Sequence, residues 1–303
     1  MNYEVIILGT SSALPTAERF PSSQILNFRE KHFLIDAGEG TQIQMRKYKQ
    51  SFQRIQKIFI SHLHADHFLG LPGLLSSMAL LGRENTLEIY GPPGIRTFLE
   101  TTFSISDAYL TFPVKYIATD HREPQILYED EHMLISSFPL FHRIACTGFL
   151  FREKEKARKF DKKLLNKYFL TPEEIIRIKN GADYQAPDGN FYPNAEITID
   201  PLPPRSYAYC SDTAPFEELA AYVKDAQTIY HESTFTMKHA LRAKETRHST
   251  ALQAAGLARD AGASQLILGH FSTRYTDLQE FLDEAQPVFA NTLLAREGNT
   301  YEI

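Results

Sequence analysis

The sequence predicts an α/β fold in which helices cover the faces of β-sheets. Short apolar runs closed by Gly, Asp, Ser or His recur along the chain and read as strands buried on at least one face. Segments of helical periodicity lie between several of them, and strands alternating with helices belong to that architecture. Of the 303 residues 43% are hydrophobic and 23% charged, enough to bury a large core without disulfides or a structural metal. The 15 Gly and 16 Pro exclude collagen-like and low-complexity classes.

In chain order, Glu4–Leu8 is a strand closed by Gly9, and Phe33–Ile35 is one closed by Asp36. Thr41–Lys49 carries a helical pattern. Ile58–Ile60 is the strand before Ser61, and Leu71–Leu81 the helix after it. Leu87–Tyr90 runs into Gly91, and Pro93–Thr101 starts a helix with proline. The later strands are Met133–Ser136, Thr147–Phe151, Ser206–Cys210, Thr228–Tyr230 and Gln265–Leu268. The later helices are Phe216–Val223, Thr250–Ala261 and Leu278–Phe289.

Residues 152–205 break this rhythm. The segment is rich in charge and then in Pro, Gly, Asn and Asp, and it is long for a plain loop between core strands. A short helix is expected over Phe160–Tyr168. A second is expected over Thr171–Lys179, where Thr171-Pro172-Glu173-Glu174 reads as an N-cap, a first-turn proline and acidic residues. The chain is thus read as one domain, 1–303, with 152–205 as a protruding arm.

The net charge of −5 excludes a uniformly basic nucleic-acid binder. From Arg152 to Lys167, however, eight basic residues face three acidic ones, a local +5 that leaves −10 for the rest. A basic patch on an acidic body is a statement about a partner. Two cysteines, Cys146 and Cys210, make no disulfide framework and read as buried small residues of a protein from a reducing compartment. The strand-like start leaves no room for a signal peptide. The longest apolar stretch, Phe68–Leu81, is too short for a membrane span and holds Pro72 and two serines. A cytoplasmic protein with no membrane partner is expected.

The strongest chemical signal is Ser61-His62-Leu63-His64-Ala65-Asp66-His67, directly after a strand. Four metal-capable side chains fall within six residues, and in extended chain His62 and His64 project to one side. Imidazole with carboxylate and no thiolate suits zinc or manganese. Three further candidates close strands: His142, Asp212 and His270. Two ions roughly 3.5–4 Å apart need a shared ligand, and a carboxylate bridges where an imidazole does not readily do so, which points to Asp212.

These residues resemble the metallo-β-lactamase superfamily, and within it the ribonuclease Z family of tRNA 3′-processing endonucleases. The match runs through Gly9-Thr-Ser-Ser-Ala-Leu-Pro15, Ile35-Asp-Ala-Gly-Glu-Gly-Thr41, Phe141-His-Arg143 with Gly148-Phe149, Ser211-Asp-Thr213, Arg247-His-Ser-Thr250 and Gly269-His-Phe-Ser-Thr-Arg-Tyr275. The resemblance implies a four-layer αββα sandwich with the arm protruding. It implies two Zn2+ per subunit: His62, His64 and His142 on one, Asp66, His67 and His270 on the other, Asp212 between. It further implies a homodimer in which each subunit's arm grips the precursor tRNA held by the other. Asp66 would take the attacking water's proton, and His248 would serve the leaving 3′ oxygen. The products would be a 3′-hydroxyl on the tRNA and a 5′-phosphate on the trailer. Lys154, Lys156, Lys162 and Lys163 would bind the tRNA backbone, and Arg274 either binds phosphate or pairs with an acid. The chain departs from the family at Ser211, where glycine is usual, and in the arm, where Thr171–Gly181 replaces a Gly-Pro-rich stretch.

His32, His121, His132 and His239 are read as facing solvent, and His231 as a candidate to line the cleft. Gly9-Thr-Ser-Ser is no P-loop, since no Gly-Lys-Ser/Thr follows. Two other functions fit less well. A small-molecule phosphodiesterase or other hydrolase of the same fold has no use for a charged arm. A non-catalytic RNA-binding protein has no use for the full set of ligand residues.

Overall fold

The computed structural model describes residues 2–160 and 170–303. Among these, two seven-stranded sheets face each other. The first has the order Thr300–Glu302, Tyr3–Gly9, Ser23–Phe28, Lys31–Ala37, Ile55–Phe59, Leu87–Gly91, Val114–Ala118. The second has the order Thr292–Leu294, Gln265–Gly269, Thr228–Glu232, Ser206–Cys210, Thr147–Glu153, Met133–Pro139, Gln125–Glu129. Each sheet is parallel in one half and antiparallel in the other.

The uninterrupted apolar runs follow from burial on both faces. Val5 and Ile7 enter the layer between the sheets, whereas Ile6 and Leu8 face the outer helices. Phe149 and Phe151 alternate with Leu150 in the same way, as do Tyr207 and Tyr209 with Ala208 and Cys210. The inter-sheet layer is aromatic: the Phe59 ring stacks on Tyr90 at 4.8 Å and meets Phe149 and Phe151 edge-on. The outer layers are built by helices such as Leu71–Leu80 on the first sheet and Ala251–Asp260 on the second. This is the expected αββα sandwich.

Five strands of the two large sheets escape sequence reading: Ser23–Phe28, Val114–Ala118, Gln125–Glu129, Thr292–Leu294 and Thr300–Glu302. In the first, Gln24 and Asn27 break the apolar run yet are buried, because Gln24 accepts from the Tyr207 hydroxyl and Asn27 donates to Glu4. The expected helix Phe216–Val223 shrinks to Leu219–Tyr222, since the chain from Phe216 starts with i→i+3 turn bonds. His32 is buried, not solvent-facing. Both cysteines are free and buried, as expected. No helix among the described residues is long and apolar enough to cross a membrane.

The arm leaves after Glu153 and re-enters at Ser206. It has a small core of its own, with Phe160, Ile178, Tyr184 and Ile197 at its centre. The helix Pro172–Lys179 starts where expected, with Thr171 and Glu174 forming a reciprocal capping box. The helix expected over Phe160–Tyr168 lies outside the described residues except for Phe160, which pairs in a two-stranded ladder with Thr198. At the arm's root, the Arg205 guanidinium grips the buried Glu153 carboxylate with two nitrogens, and Lys156 adds a third contact at 3.1 Å.

Candidate metal centre

The chemistry-bearing residues sit where mutually parallel strands end. Asp36 ends Lys31–Ala37, His62 to His67 follow Ile55–Phe59, and His142 follows Met133–Pro139. Asp212 follows Ser206–Cys210, Glu232 ends Thr228–Glu232, and His270 follows Gln265–Gly269. Ligand sites of α/β sheets lie outside such carboxyl ends. The backbone bends sharply there: φ is 52° at Asp36, 44° at Asp212, 56° at Arg247 and 58° at His270. That left-handed region costs a non-glycine residue of order 1–3 kcal/mol, and such strain concentrates at functional sites. Gly269 is glycine for a different reason, since a Cβ there would meet the Tyr230 hydroxyl at 2.1 Å.

The structure brings all seven expected ligands together. His62, His64, His142 and Asp212 offer atoms within 4.8 Å of one another, and so do Asp66, His67 and His270. Asp212 presents one oxygen to each group. Oδ2 lies 3.4 Å from His62 Nε2 and 3.7 Å from His142 Nε2; Oδ1 lies 3.4 Å from His67 Nε2 and 3.1 Å from His270 Nε2. His64 Nδ1 is 3.0 Å from His62 Nε2 and 3.2 Å from His142 Nε2. Nitrogens bound tetrahedrally at about 2.05 Å to one zinc would be about 3.3 Å apart, so the donor spacing fits such an ion.

The outer nitrogens are already committed. His67 Nδ1 lies 2.7 Å from Asp36 Oδ2, His142 Nδ1 3.0 Å from the Arg247 carbonyl, His62 Nδ1 3.0 Å from Ser61 Oγ and His270 Nδ1 2.9 Å from Thr234 Oγ1. Each partner fixes a ring with Nε2 facing inward, as ligand histidines require. Burial lowers the pKa of His62 and His64 and brings His142 down to about 4, which keeps these imidazoles neutral donors. Burial likewise disfavours charge on Asp66 and Asp212, but the surrounding histidines hold both carboxylates below their usual range. Four buried acids, Asp36, Asp66, Asp212 and Glu232, crowd one place, and such a cluster calls for cations. The cluster is a metal-binding site by its donor set.

His248 stands at the edge of this group, with Nδ1 2.8 Å from Glu232 Oε1. Burial opposes its charge, but the Glu232 carboxylate prevails and pushes its pKa up to about 9. Glu232 also accepts from the backbone N–H groups of Thr213, Thr234 and Ser249 and from the Thr234 hydroxyl. Sequence reasoning missed Glu232, Thr234 and Asp36 as supports. It singled out His231 instead, but successive strand residues face opposite ways, and His231 is buried outside the metal cleft.

The cleft above the cluster, about 350 Å³, is lined by Ser12, Ala13, Arg143, Arg242 and His248 with the donors His64, Asp66, His142, Asp212 and His270. The N-terminal Gly9–Pro15 stretch forms one wall, and its Ala13 N–H donates to Asp66 Oδ2 at 2.7 Å. Lys154 and Lys156 lie at the arm's root, paired with Glu129 and Glu153. Lys162 and Lys163 lie outside the described residues. Arg274 is exposed beyond His270 and makes no ion pair among the described residues.

Residues 3–104 match the family model of the anti-Pycsar protein Apyc1. Over 98% of its length the chain is 44% identical to ribonuclease Z of Bacteroides fragilis and covers 97% of that protein. It is 42% identical over its full length to ribonuclease Z of Cytophaga hutchinsonii, again covering 97%. The short form of human tRNase Z superposes with a TM-score of 0.72 at 28% identity, over 99% of both chains. The metallo-β-lactamase fold protein YhfI of Bacillus subtilis shares the fold, with a TM-score of 0.70 at 18% identity over the whole of both chains. With its donor cluster at the strand ends and relatives matching it end to end, the chain belongs to the ribonuclease Z family.

Proposed function

We propose that this protein is a zinc-dependent endoribonuclease that removes the 3′ trailer from precursor tRNA, leaving a 3′-hydroxyl on the tRNA and a 5′-phosphate on the trailer. The observation that carries the reading is Asp212, one oxygen toward each of two donor groups. In this reading His62, His64 and His142 hold one zinc, Asp66, His67 and His270 the other, and Asp212 both; manganese suits the same donors. Bound there, the ions would lower the pKa of water toward neutrality and neutralise charge on the phosphate.

The chain's own residues do the rest. Asp66, kept ionised by His67 and His270, is the base for the attacking water's proton. His248, kept protonated by Glu232, gives a proton to the departing 3′ oxygen. The arm starts at the far end of the seven-residue strand Thr147–Glu153, roughly 20 Å from the metal edge at about 3.3 Å per residue. An arm rooted on the wrong edge for its own cleft supports a homodimer, in which each arm, through Lys154, Lys156, Lys162 and Lys163, grips tRNA held by the other subunit. Arg274 is read as a phosphate contact, and the cytoplasm as the site of action.

Incubation with end-labelled precursor tRNA tests the reading. The expected result is one cut at the 3′ end of the tRNA body with the stated end groups, abolished by chelator and restored by zinc. Turnover confined to bis(p-nitrophenyl) phosphate would favour a small-molecule phosphodiesterase instead.

A further inference from the structure

The metal cleft shares His142 and Arg143 with a second groove of about 590 Å³. Its walls are apolar: Phe141 and Ile144 on one side, Pro215 and Phe216 on the other. Phe141 is 51% exposed, a large ring left open beside the metal cleft. The Arg247 guanidinium lies over this ring, 4.9 Å from its centre. The ring's backbone is pinned from both sides: Phe141 N–H donates to Thr213 Oγ1 at 3.1 Å, and its carbonyl accepts from Ala214 N–H at 2.9 Å. The Phe141 backbone is therefore tied to the residues that follow Asp212, one residue before His142.

Arg143 marks the border between groove and cleft. It is exposed and makes no hydrogen bond or ion pair among the described residues. Arg242, which also lines the cleft, is engaged by Glu245 at 3.1 Å. An uncommitted guanidinium next to an apolar, aromatic slot matches a nucleotide, whose phosphate is anionic and whose base has an apolar face.

Resting on the phosphodiesterase reading, we propose that this groove is a nucleobase subsite. It takes the base of one nucleotide flanking the cut, stacked on Phe141, with a phosphate oxygen on Arg143. Apart from the shared His142 and Arg143, polar side chains reach the groove only from His121 and Glu218 among its described lining, so the base is held by stacking and shape, and all four bases are accepted.

The test uses zinc-loaded full-length protein and precursor RNAs with one abasic residue on either side of the cut. At one of the two positions, loss of the base lowers kcat/KM roughly 5- to 100-fold, the range that one base–aromatic stack supplies. F141A drops on intact RNA to the abasic level and no longer senses the missing base, whereas F141W keeps the difference. Metal content per subunit, by mass spectrometry, stays that of the wild type in both variants. Independently, 2-aminopurine at that position is quenched on binding chelator-treated wild type and stays bright with F141A. An abasic penalty that is absent at both positions, or equal in wild type and F141A, overturns the subsite. A wild type that cuts no RNA overturns the underlying reading, and the subsite falls with it.

Discussion

Asp36 accepts the Nδ1 proton of His67 at 2.7 Å, and the same buried carboxylate receives the Tyr209 hydroxyl and the Ser61 N–H and hydroxyl, each within 2.8 Å. One acid thus aims a ligand and ties both sheets to the metal edge. Asp36→Ala is expected to weaken metal binding about 10- to 100-fold, the usual cost of losing such a support. Chelator competition followed by metal analysis checks it. Because four donors lose their acceptor, the thermal midpoint falls as well.

His248 and Glu232 should set the alkaline side of the pH profile. With its pKa raised to about 9, His248 stays an acid through neutrality and loses the proton as pH passes that value. Glu232→Gln removes the charge that holds the proton, so the falling limb moves to lower pH. His248→Ala should cost about 10²–10⁴-fold on RNA. On bis(p-nitrophenyl) phosphate, whose leaving group departs without a proton, the loss should be far smaller. Equal losses on both substrates would remove the acid role.

Arg247 holds His142 twice. Its carbonyl accepts from the ring Nδ1 at 3.0 Å, and its guanidinium donates to the His142 carbonyl at 2.7 Å. Arg247→Ala keeps the first bond and loses the second. A drop in kcat/KM of about 10-fold is expected, with faster loss of metal in a timed chelator chase.

The root of the arm should fail under acid before the sandwich does. Burial disfavours the Glu153 charge, but Arg205 and Lys156 outweigh it and push the pKa from 4.5 to about 2. The pair therefore stabilises fully above pH 4.5, and its contribution is lost as pH falls through about 2. Glu153→Ala removes the carboxylate partner of Arg205, which keeps the Ile303 carbonyl and the Tyr3 ring, and is expected to cost about 1–3 kcal/mol. Limited proteolysis should then cut the arm first.

The legible parts of the molecule are those with a local signature. Runs such as Glu4–Leu8 and Ser206–Cys210 announce strands because both faces are buried, and His62 to His67 announces a metal because the spacing is compact. Asp36, Glu232 and Thr234 have no spacing of their own; they matter only because strands distant in sequence end side by side. The strand Ser23–Phe28 was illegible for a related reason: its buried Gln24 finds its partner, Tyr207, on the opposite sheet. Phe141 enters the sequence reading only as the neighbour of His142 in Phe141-His-Arg143, and a role for its ring shows only once it is seen exposed beside His142.

The arm's private core, centred on Phe160, Ile178, Tyr184 and Ile197, makes the tool and its handle separate objects. With the arm as the tRNA grip proposed above, substitutions that retune which RNAs are seized can accumulate around that miniature nucleus without disturbing a single imidazole. Recognition is then free to drift while bond cleavage stays constant, and an arm transplanted from a relative would bring its own choice of cargo to an unaltered blade.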